Sequence, residues 1–477
     1  MLLSLLILIP LLAGLAAFFA GNQAKALALG GSLLTAAVMG YLLSMPAQSA
    51  ALEFSASWLG SIRANFTLGL DGLGKVTTLL TAVAFPIIFL SIWPNNYRDA
   101  HQFYGLMLLT MAGLMGVFLA TDALLFYFFW ELALIPTYFL CSKWGGERRI
   151  AVSFKFFIYT FVGSLMMLIG IIYLYYKTPD QSFSWKSMTQ AVLTAKEQAF
   201  FFWFFFVAFA IKMPIFPFHT WQPDAYEQSP TATTMVLSGI MVKMGLFGVV
   251  RWLLPLFPDM STKMAPIVIV LCIVGMLYAS LIAMRQSNIK RLVAYSSIAH
   301  IGLICAALFA QNELAFNGAL IQLFSHGVNI IGLWIVIDLI EQQTGITKMD
   351  DLGGLAQKAP TMAVLLVVIA LANIALPLTN AFVGEFLMFN GLFKYQPWYA
   401  VAAGISIILA AVYTLGMIQK VFYGTSQNAL VVKDVKPGVA VALVALVVMI
   451  LAFGIYPKPM LQFSGHHIDS LTSMLVK

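Results

Sequence analysis

Six ionisable side chains lie deep inside apolar stretches that are each long enough to cross a membrane: Glu131, Lys212, Lys243, His300, His326 and Glu385. A charged residue at the centre of a membrane helix costs about 2.5–3.5 kcal/mol on insertion scales, and such residues usually face a protein interior or a hydrated path. Carboxyl, amino and imidazole groups can all bind and release a proton. A chain that bears this cost six times is predicted to move charge.

The depths of these groups are also similar. At 1.5 Å per residue, all but Glu385 lie about 12–20 Å along their segments, near the middle of a core that is roughly 30 Å thick. Titratable groups at one depth on separate helices can form a file parallel to the membrane. Each group alone could be a structural ion pair or a hydrogen-bonded core residue, but six such groups together, five of them at matched depth, favour a relay.

The composition sets the class of protein that must position them. Hydrophobic residues make up 61% of the 477 residues and charged residues only 9%, and the mean hydropathy is +0.91. A water-soluble fold of this size needs more polar surface, so an all-α integral membrane protein is predicted. The net charge of +7 comes from cations scattered through short loops and helix interiors, and nucleic-acid binding is therefore not expected.

The sequence offers no redox chemistry of its own. The three cysteines, Cys141, Cys272 and Cys305, lie singly in apolar segments without a C-x-x-C pair or metal-ligand spacing. Neither an iron–sulfur cluster nor a disulfide framework is indicated, and there is no dinucleotide or P-loop fingerprint. No metal and no cofactor are expected in this chain.

A bilayer core needs about 20 apolar residues per helix, which divides the chain into about 14 transmembrane helices. The predicted spans are 1–20, 26–46, 70–93, 103–120, 122–142, 150–176, 199–221, 230–257, 264–284, 292–311, 314–340, 360–393, 396–424 and 437–457. The longest connections are the loops 47–69, 177–198 and 341–359. We therefore expect one polytopic membrane domain over 1–477.

Loop charges predict the orientation of the chain. No Lys or Arg precedes Lys25, so the first span lacks the basic region of a signal peptide and is expected to be an uncleaved helix. More loop cations fall on the side that holds Lys25, Arg148 and Arg149 than on the side that holds Arg63 and Lys177. By the positive-inside rule, both termini are expected on the outer, periplasmic side of a cytoplasmic membrane.

Prolines interrupt two of the predicted spans. Pro214 and Pro217 remove the N–H groups that would bond the carbonyls of Ala210 and Met213, so water or a polar side chain is expected to satisfy these acceptors. Pro377 interrupts the twelfth span in the same way.

Interrupted helices in corresponding halves of a chain are typical of transporters built from inverted repeats. The two repeats are expected at about 103–257 and 264–424, with flanking helices at both ends. A packing kink would explain either break taken alone.

Four runs resemble the proton-pumping antiporter-like subunits of respiratory complex I, NADH:quinone oxidoreductase. They are FFWELALIP (128–136), IKMPIFPFHTWQPDA (211–225), IKRLVAYSSIAHIG (289–302) and FVGEF (382–386). The resemblance covers nearly the whole chain in order and is strongest to the M-type branch. L-type chains carry a long C-terminal lateral helix, for which this sequence has no room.

The resemblance implies a role for each of the six groups. Glu131 and Lys212 would form a coupled pair, and Lys243 would be the central relay. His300 and His326 would connect it to Glu385, the exit toward the next subunit. Moving Glu131 relative to Lys212 would change the proton affinity of the lysine, so the pair can act as a switch.

The resemblance also implies partners and a source of energy. The chain would be a subunit of a translocase, assembled with L-type and N-type antiporter-like chains and with lipids. FMN, iron–sulfur clusters and a quinone, either ubiquinone or menaquinone, would be carried by or react at partner subunits. The energy for moving protons would come from those partners.

One position departs from the family. The family commonly has a histidine after Pro-Asp-Ala, where this chain has Tyr226 followed by Glu227, which puts in doubt any role of that histidine in proton uptake. The alternative function is an Mrp-type or hydrogenase-linked cation/proton antiporter subunit. It is disfavoured because the Mrp and N-type chains usually carry Lys where this sequence has Glu385. A structural scaffold whose buried charges merely pair explains the broken helices poorly.

Overall fold

The protein is a helical bundle with one small β-hairpin, as seen in a computed structural model that describes residues 1–46, 48–425 and 431–463. The helices are α1 Leu2–Ala17, α2 Ala24–Leu43, α3 Gly72–Ser91, α4 Ala100–Leu119, α5 Ala123–Trp144, α6 Arg149–Lys177, α7 Trp185–Met188, α8 Ala195–Lys212, α9 Gln222–Gln228, α10 Thr231–Leu256, α11 Pro258–Met284, α12 Ile289–Phe309, α13 Glu313–Thr344, α14 Leu355–Lys358, α15 Pro360–Asn373, α16 Asn380–Tyr395, α17 Pro397–Tyr423 and α18 Pro437–Ile455. Within α10 the turns Leu237–Met241 and Val249–Leu253 are π-helical.

Eleven helices among the described residues are long and apolar enough to cross a membrane. The chain is thus a mostly helical membrane protein, as predicted, with the β-hairpin as the exception to an all-α fold. Helices suit a lipid core because it has no water to satisfy free backbone groups, and a helix satisfies them internally. The predicted spans overlap the observed helices, and most ends agree within a few residues. Several helices begin at side-chain caps. Asp122, for example, accepts hydrogen bonds from the N–H groups of Leu124 and Leu125 at the start of α5.

Two predicted spans are split into separate helices. The span predicted at 199–221 is α8, then a non-helical stretch, then the short helix α9, and the span predicted at 360–393 is α15 and α16. The prolines explain both interruptions, since a proline lacks the N–H that continues a helix and its ring clashes with the preceding turn. In the second interruption, Ala375 and Leu378 have φ of 57° and 73°, a left-handed conformation that is strained for residues with side chains.

The segment 47–69 was expected to be a loop, and the structure contains a β-hairpin there. Strands β1 (Glu53–Leu59) and β2 (Ala64–Gly69) pair antiparallel, with Phe54 opposite Leu68. The aromatic residues Phe54 and Trp58 in β1 and Phe66 in β2 are of a type that favours strands. The hairpin is not isolated, because Leu68 bridges Ala120 at the end of α4.

Backbone contacts between connections identify the two ends of the bundle. At one end the hairpin, the start of α5 and the segment before α7 meet, through the bridges of Leu68 to Ala120 and of Asp122 to Ser184. At the other end Asn288 bridges Lys348. The second end is the one predicted to face the inner side. The predicted location of the C-terminus falls in 464–477, outside the described residues.

Burial separates central helices from peripheral ones. The apolar windows of α10 and α13 are 100% buried inside the protein, whereas that of α18 is only 28% buried. A helix that is apolar all round and fully enclosed belongs to the centre of a bundle. Lys243 and His326 lie on the two central helices.

Candidate functional site

The pair Lys243 and His326 forms the centre of the candidate site. Lys243 follows the first π-helical turn of α10, in which the Val242 N–H bonds the Leu237 carbonyl, and π-helical turns are frequent at functional sites. The Lys243 Nζ donates to the Ser238 carbonyl at 2.8 Å and lies 2.8 Å from Nδ1 of His326 on α13. Both side chains are at most 1% exposed.

This contact can be made in two protonation states. A charged lysine donates to a neutral imidazole, or the imidazole Nδ1–H donates to a neutral amine, because lysine accepts a hydrogen bond only after it has lost its proton. The two states differ by the transfer of one proton across 2.8 Å. The other ring nitrogen, Nε2, lies 3.4 Å from the Ser297 hydroxyl on α12.

His300 on α12 is held by two backbone carbonyls. Its Nδ1 lies 2.8 Å from the Ser296 carbonyl and its Nε2 lies 2.9 Å from the Asn373 carbonyl. A neutral imidazole has only one N–H, so both acceptors are satisfied together only by the doubly protonated ring. Asn373 is the last residue of α15, and the break after it supplies this acceptor. The site therefore suits a histidine that carries a proton.

Glu385 on α16 lies next to His300. The Glu385 Oε1 is 3.8 Å from the His300 Nε2 and accepts a hydrogen bond of 3.3 Å from the Gln322 Nε2 on α13. Small residues allow this approach: a Cβ added to Gly384 would touch the Gln322 side chain, and one added to Gly318 would touch the Gly384 carbonyl.

The structure thus brings four of the six predicted groups into one file. Lys243 contacts His326, the rings of His326 and His300 have centroids 5.7 Å apart, and His300 faces Glu385. A cavity of about 20 Å³ lies beside His300 and Glu385, which is room for about one water molecule.

The other two groups lie apart from this file. Lys212 is the last residue of α8 and is 2% exposed. Its Nζ lies 5.6 Å from the ring centroid of Trp130 and 5.8 Å from that of Phe156, close enough for cation–π attraction. Among the described residues, neither this Nζ nor the Oε1 of Glu131 has a hydrogen-bond partner. The coupled pair remains a prediction.

Glu131 is only partly buried. Together with Trp58, Tyr127 and Phe128 it lines an apolar groove of about 340 Å³. Phe128 is 46% exposed, so this face of α5 is open on the isolated chain.

The break after α8 differs from the expectation in one respect. The Ala210 carbonyl does not need water or a side chain, because it accepts the Ile215 N–H at 2.9 Å. The side-chain donor acts one residue later, where the indole Nε1 of Trp221 donates to the Ile211 carbonyl at 2.9 Å. A carbonyl that loses its helical hydrogen bond at a proline is satisfied by a nearby donor in the folded chain. The sequence does not reveal which donor that is.

Several functional candidates were not identified from the sequence. Ser296 on α12 links this helix to α17 and α15. Its hydroxyl accepts hydrogen bonds from the Tyr413 hydroxyl (3.0 Å) and from the Asn373 amide (3.4 Å). Gln322 bonds Glu385. Uncharged polar side chains inside apolar helices are the signal that could have found them, because such groups need partners in a dry interior.

Tyr226 and Glu227 follow Pro-Asp-Ala, where a histidine is common in the family, and their surroundings differ from each other. Tyr226 is fully buried, and its hydroxyl has no partner among the described residues. The Glu227 carboxylate accepts hydrogen bonds from Asn288 at 3.1 Å and from Arg291 at 2.9 Å. No group of three or more His, Cys, Asp or Glu side chains in the described part of the chain is arranged to hold a metal ion.

A family model decides the affiliation of the chain. Residues 120–410 match the model described as "NADH:quinone oxidoreductase/Mrp antiporter, TM", and this segment contains all six of the predicted groups. The chain belongs to this family. Its sequence is 34% identical to that of NADH-quinone oxidoreductase subunit M of Escherichia coli, over 89% of this chain and 86% of that protein. It is also 34% identical to F(420)H(2) dehydrogenase subunit M of Methanosarcina mazei, over 99% and 98% of the two chains.

Two solved structures have the same fold. A chain of respiratory complex I from Thermus thermophilus with bound NADH superposes with a TM-score of 0.91 at 28% identity, covering 100% of both chains. A chain of the Mrp complex from a Dietzia species gives a TM-score of 0.86 at 20% identity, covering 99% and 98%. The second likeness concerns the fold alone. The resemblance to antiporter-like chains is confirmed.

Proposed function

We propose that this chain is a proton-translocating membrane subunit of NADH:quinone oxidoreductase and that protons pass through Lys243, His326, His300 and Glu385. The single observation that carries the proposal is the contiguity of these four groups. The Lys243–His326 contact is 2.8 Å and the His300–Glu385 separation is 3.8 Å. The subunit-M names and full-length coverage of the relatives support the same function.

The file can work as follows. A proton moves from the Lys243 ammonium to the His326 Nδ1 across their hydrogen bond, since the acceptor lone pair faces the donor. It then reaches His300, whose two carbonyl partners stabilise the charged ring, and neutralises the Glu385 carboxylate. The proton leaves from Glu385 when a new negative or basic group approaches. Lys212 and Glu131 would form a second, coupled element that changes the field at Lys243.

The carboxylate at position 385 favours this function over the Mrp-type alternative. A glutamate is neutral when loaded and negative when empty, and it serves as the counter-charge of His300 at 3.8 Å. A lysine there would face His300 with a like charge and would oppose its protonation. An antiporter chain with Lys at this position therefore needs a different order of proton transfers.

The proposed architecture has 14 crossings in two inverted repeats. Eleven of these crossings are the long apolar helices. The other three are α1, the pair α8 and α9 taken as one crossing, and the pair α15 and α16 taken as one crossing. The repeat 103–257 and the repeat 264–424 then each contain five crossings, of which the fourth is broken. Because an odd number of crossings separates their starts, the repeats have opposite orientations in the membrane, as in other inverted-repeat transporters.

Partners and orientation complete the proposal. Exposed aromatic side chains, such as Phe128 and Trp398 at 46% and 74% exposure, fit contact with L-type and N-type chains and with lipid tails. FMN, the iron–sulfur clusters and the quinone would be bound by other subunits. The end of the bundle that contains Asn288 and Lys348 would face the cytoplasm.

The function is tested in the assembled complex. Membrane vesicles from cells with wild-type or Lys243→Ala protein are energised with NADH, and a pH-gradient dye reports acidification while quinone reduction is followed separately. We expect Lys243→Ala to lose most acidification, with assembly checked on native gels. Lys196→Ala, on an exposed position of α8, is the matched control. Wild-type acidification by an assembled Lys243→Ala complex would overturn the proposal.

A further inference from the structure

A polar cavity of about 660 Å³ opens at the end of the bundle where Asn288 and Lys348 meet. Its walls come from the connection of α5 to α6, the connection of α9 to α10, the start of α12 and the end of α13. Since one water molecule occupies about 30 Å³ in the liquid, the cavity can hold a large cluster of water. None of the six groups of the predicted relay lines it.

Four carboxylates line this cavity at different depths, and Glu147 is the exposed one. Glu227 and Glu341 have side chains that are 20% and 29% exposed, and Glu341 is paired with Lys290 at 2.6 Å. Asp338, about one turn before Glu341 in α13, is 5% exposed and accepts a hydrogen bond of 2.9 Å from Asn95. Asp338 is thus the deepest acid of the wall and has no cation within ion-pair distance in the described part of the chain.

Helices α10 and α13 connect the cavity to the relay. At the cavity, the Thr231 hydroxyl on α10 donates to Glu341 on α13 at 3.2 Å. At the relay, the same two helices are joined by the contact between Lys243 and His326. The twelve residues from Thr231 to Lys243 correspond to about 18 Å at 1.5 Å per residue.

Buried polar atoms without partners lie along this interval of α10 and α13. Trp334 is one turn from Asp338, and its indole Nε1 has no partner among the described residues, nor do the two side-chain polar atoms of Asn329, three residues from His326. Both side chains are at most 1% exposed. Tyr226, whose hydroxyl is equally unpartnered, has its ring centroid 6.0 Å from that of Trp334. Buried donors and acceptors of this kind are the partners that an ordered water molecule needs.

We propose that this cavity takes up protons for the relay and that Asp338 is the carboxylate through which each proton enters the protein. The inference rests on the proposed function and assigns it an uptake site. The Asp338 carboxylate binds a proton from hydronium in the cavity and releases water. The proton then passes along water held by Trp334, Tyr226 and Asn329 to the neutral amine of Lys243, which regenerates the carboxylate.

The assignment of Asp338 also explains how this chain can take up protons with Tyr226 at the position where the family commonly has a histidine. A chain with tyrosine at the family histidine position has a buried phenol there, which holds its proton near neutral pH. Asp338 and the neighbouring Glu341 then provide the acids that exchange protons with the cavity. Tyr226 contributes a hydroxyl that orders water beside Trp334.

The first test replaces the carboxylate. Asp338→Asn keeps the size and the hydrogen-bonding capacity toward Asn95 but cannot bind a proton. In energised vesicles we expect the acidification rate to fall at least about tenfold, because a positioned proton-transfer group contributes about 100-fold or more. Asp338→Glu should restore part of the rate. Asp350→Asn is the matched control, since Asp350 is exposed, pairs with Lys420 and does not line the cavity.

The second test blocks the cavity without changing Asp338. Gln342 lines the cavity and its neighbour Gln343 does not, while Cys141, Cys272 and Cys305 are all buried. In inverted vesicles, a bulky membrane-impermeant maleimide on Gln342→Cys should lower acidification several-fold, whereas the same label on Gln343→Cys should not. Unlabelled Gln343→Cys is a further control, because this substitution removes the hydrogen bonds of the Gln343 side chain to the Lys433 backbone.

The outcomes separate this proposal from the function on which it rests. Absence of acidification by the wild-type complex would reject the function itself. Normal acidification by wild type, by assembled Asp338→Asn and by labelled Gln342→Cys would overturn only the uptake site. If Asp338→Asn does not assemble, the labelling experiment decides alone: equal acidification with and without the label on Gln342→Cys rejects the cavity as the uptake site.

Discussion

The Lys243 Nζ on α10 lies 2.8 Å from the Nδ1 of His326 on α13, in the most enclosed part of the molecule. A lysine and a histidine that contact each other directly cannot both be charged without repulsion. At most one of the two side chains is therefore charged at a time. In the proposed relay, this contact is the step at which a proton passes from the lysine to the histidine.

Replacing His326 should interrupt that step. In His326→Leu, Lys243 keeps only the Ser238 carbonyl as a partner, and we expect the acidification rate of energised vesicles to fall at least about tenfold. Ser297→Ala is the graded comparison, because it removes only the longer contact of 3.4 Å and should cause a smaller loss. Equal rates for assembled His326→Leu and wild type would mean that protons bypass this histidine.

Gln322 should position Glu385. Gln322→Leu removes the amide that donates to Glu385 at 3.3 Å, so the carboxylate is less firmly held toward His300 and pumping should fall several-fold. Gln322→Asn retains an amide on a shorter side chain, and its pumping rate should lie between those of Gln322→Leu and wild type. The rate of acidification per quinone reduced is the measurement, since a purely structural effect would lower both rates together. An unchanged ratio would count against the positioning role.

Lys212 and Glu131 should be needed for pumping although they lie apart from the file. Lys212→Ala and Glu131→Ala remove opposite charges from one region, and we expect each to abolish most acidification while the complex still assembles. Lys196→Ala, at an exposed position near the start of α8, is the matched control. If both assembled variants acidify vesicles normally, the coupled-pair prediction is wrong.

The packing of α18 against the second break should tolerate no side chain at Gly454. A Cβ there would collide with the backbone carbonyl of Leu378, and overpacking typically costs about 1–3 kcal/mol. Gly454→Ala should therefore lower the melting temperature of the purified complex and reduce pumping. Gly404→Ala in α17 meets nothing within 4 Å and should be neutral or slightly stabilising. Identical melting of the two variants would contradict this account.

Asp434, in the connection between α17 and α18, should stabilise α15 in a pH-dependent way. Partial burial disfavours its charge, but hydrogen bonds from Thr361, Val435 and Met362 outweigh this and hold the pKa of Asp434 below its ordinary value of 3.8. The stabilisation is thus complete above pH 3.8 and is lost as the pH falls through the folded-state value. Asp434→Ala should cost about 1 kcal/mol at neutral pH, as for a lost helix cap.

Melting temperatures of wild type and Asp434→Ala measured from neutral pH downward check this prediction. The difference between the two proteins should shrink below pH 3.8. A constant difference over that range would show that the carboxylate charge is not what stabilises α15.

The sequence alone could predict the elements and the residue types of the site. Apolar runs of about 20 residues predict crossing helices because lipid forces the backbone to bond internally, and prolines at 214 and 377 predict the interruptions because they lack an N–H donor. Buried Glu, Lys and His stand out in apolar runs because each is costly there. Gln322 and Ser296 were missed because an uncharged polar residue in such a run is common and its partner cannot be read from sequence.

Which of these residues meet depends on how the helices pack, and the sequence did not predict it. The apolar windows of α10, α13 and α18 all have hydropathy of 1.7 or more, yet the first two are central and the third is peripheral, since lipid and protein interiors are equally apolar. Contacts such as Lys243 with His326 join residues 83 positions apart and depend on how helices pack. The residue types specify which groups can carry protons. Helix packing places four of these groups in one file and leaves Glu131 and Lys212 outside it.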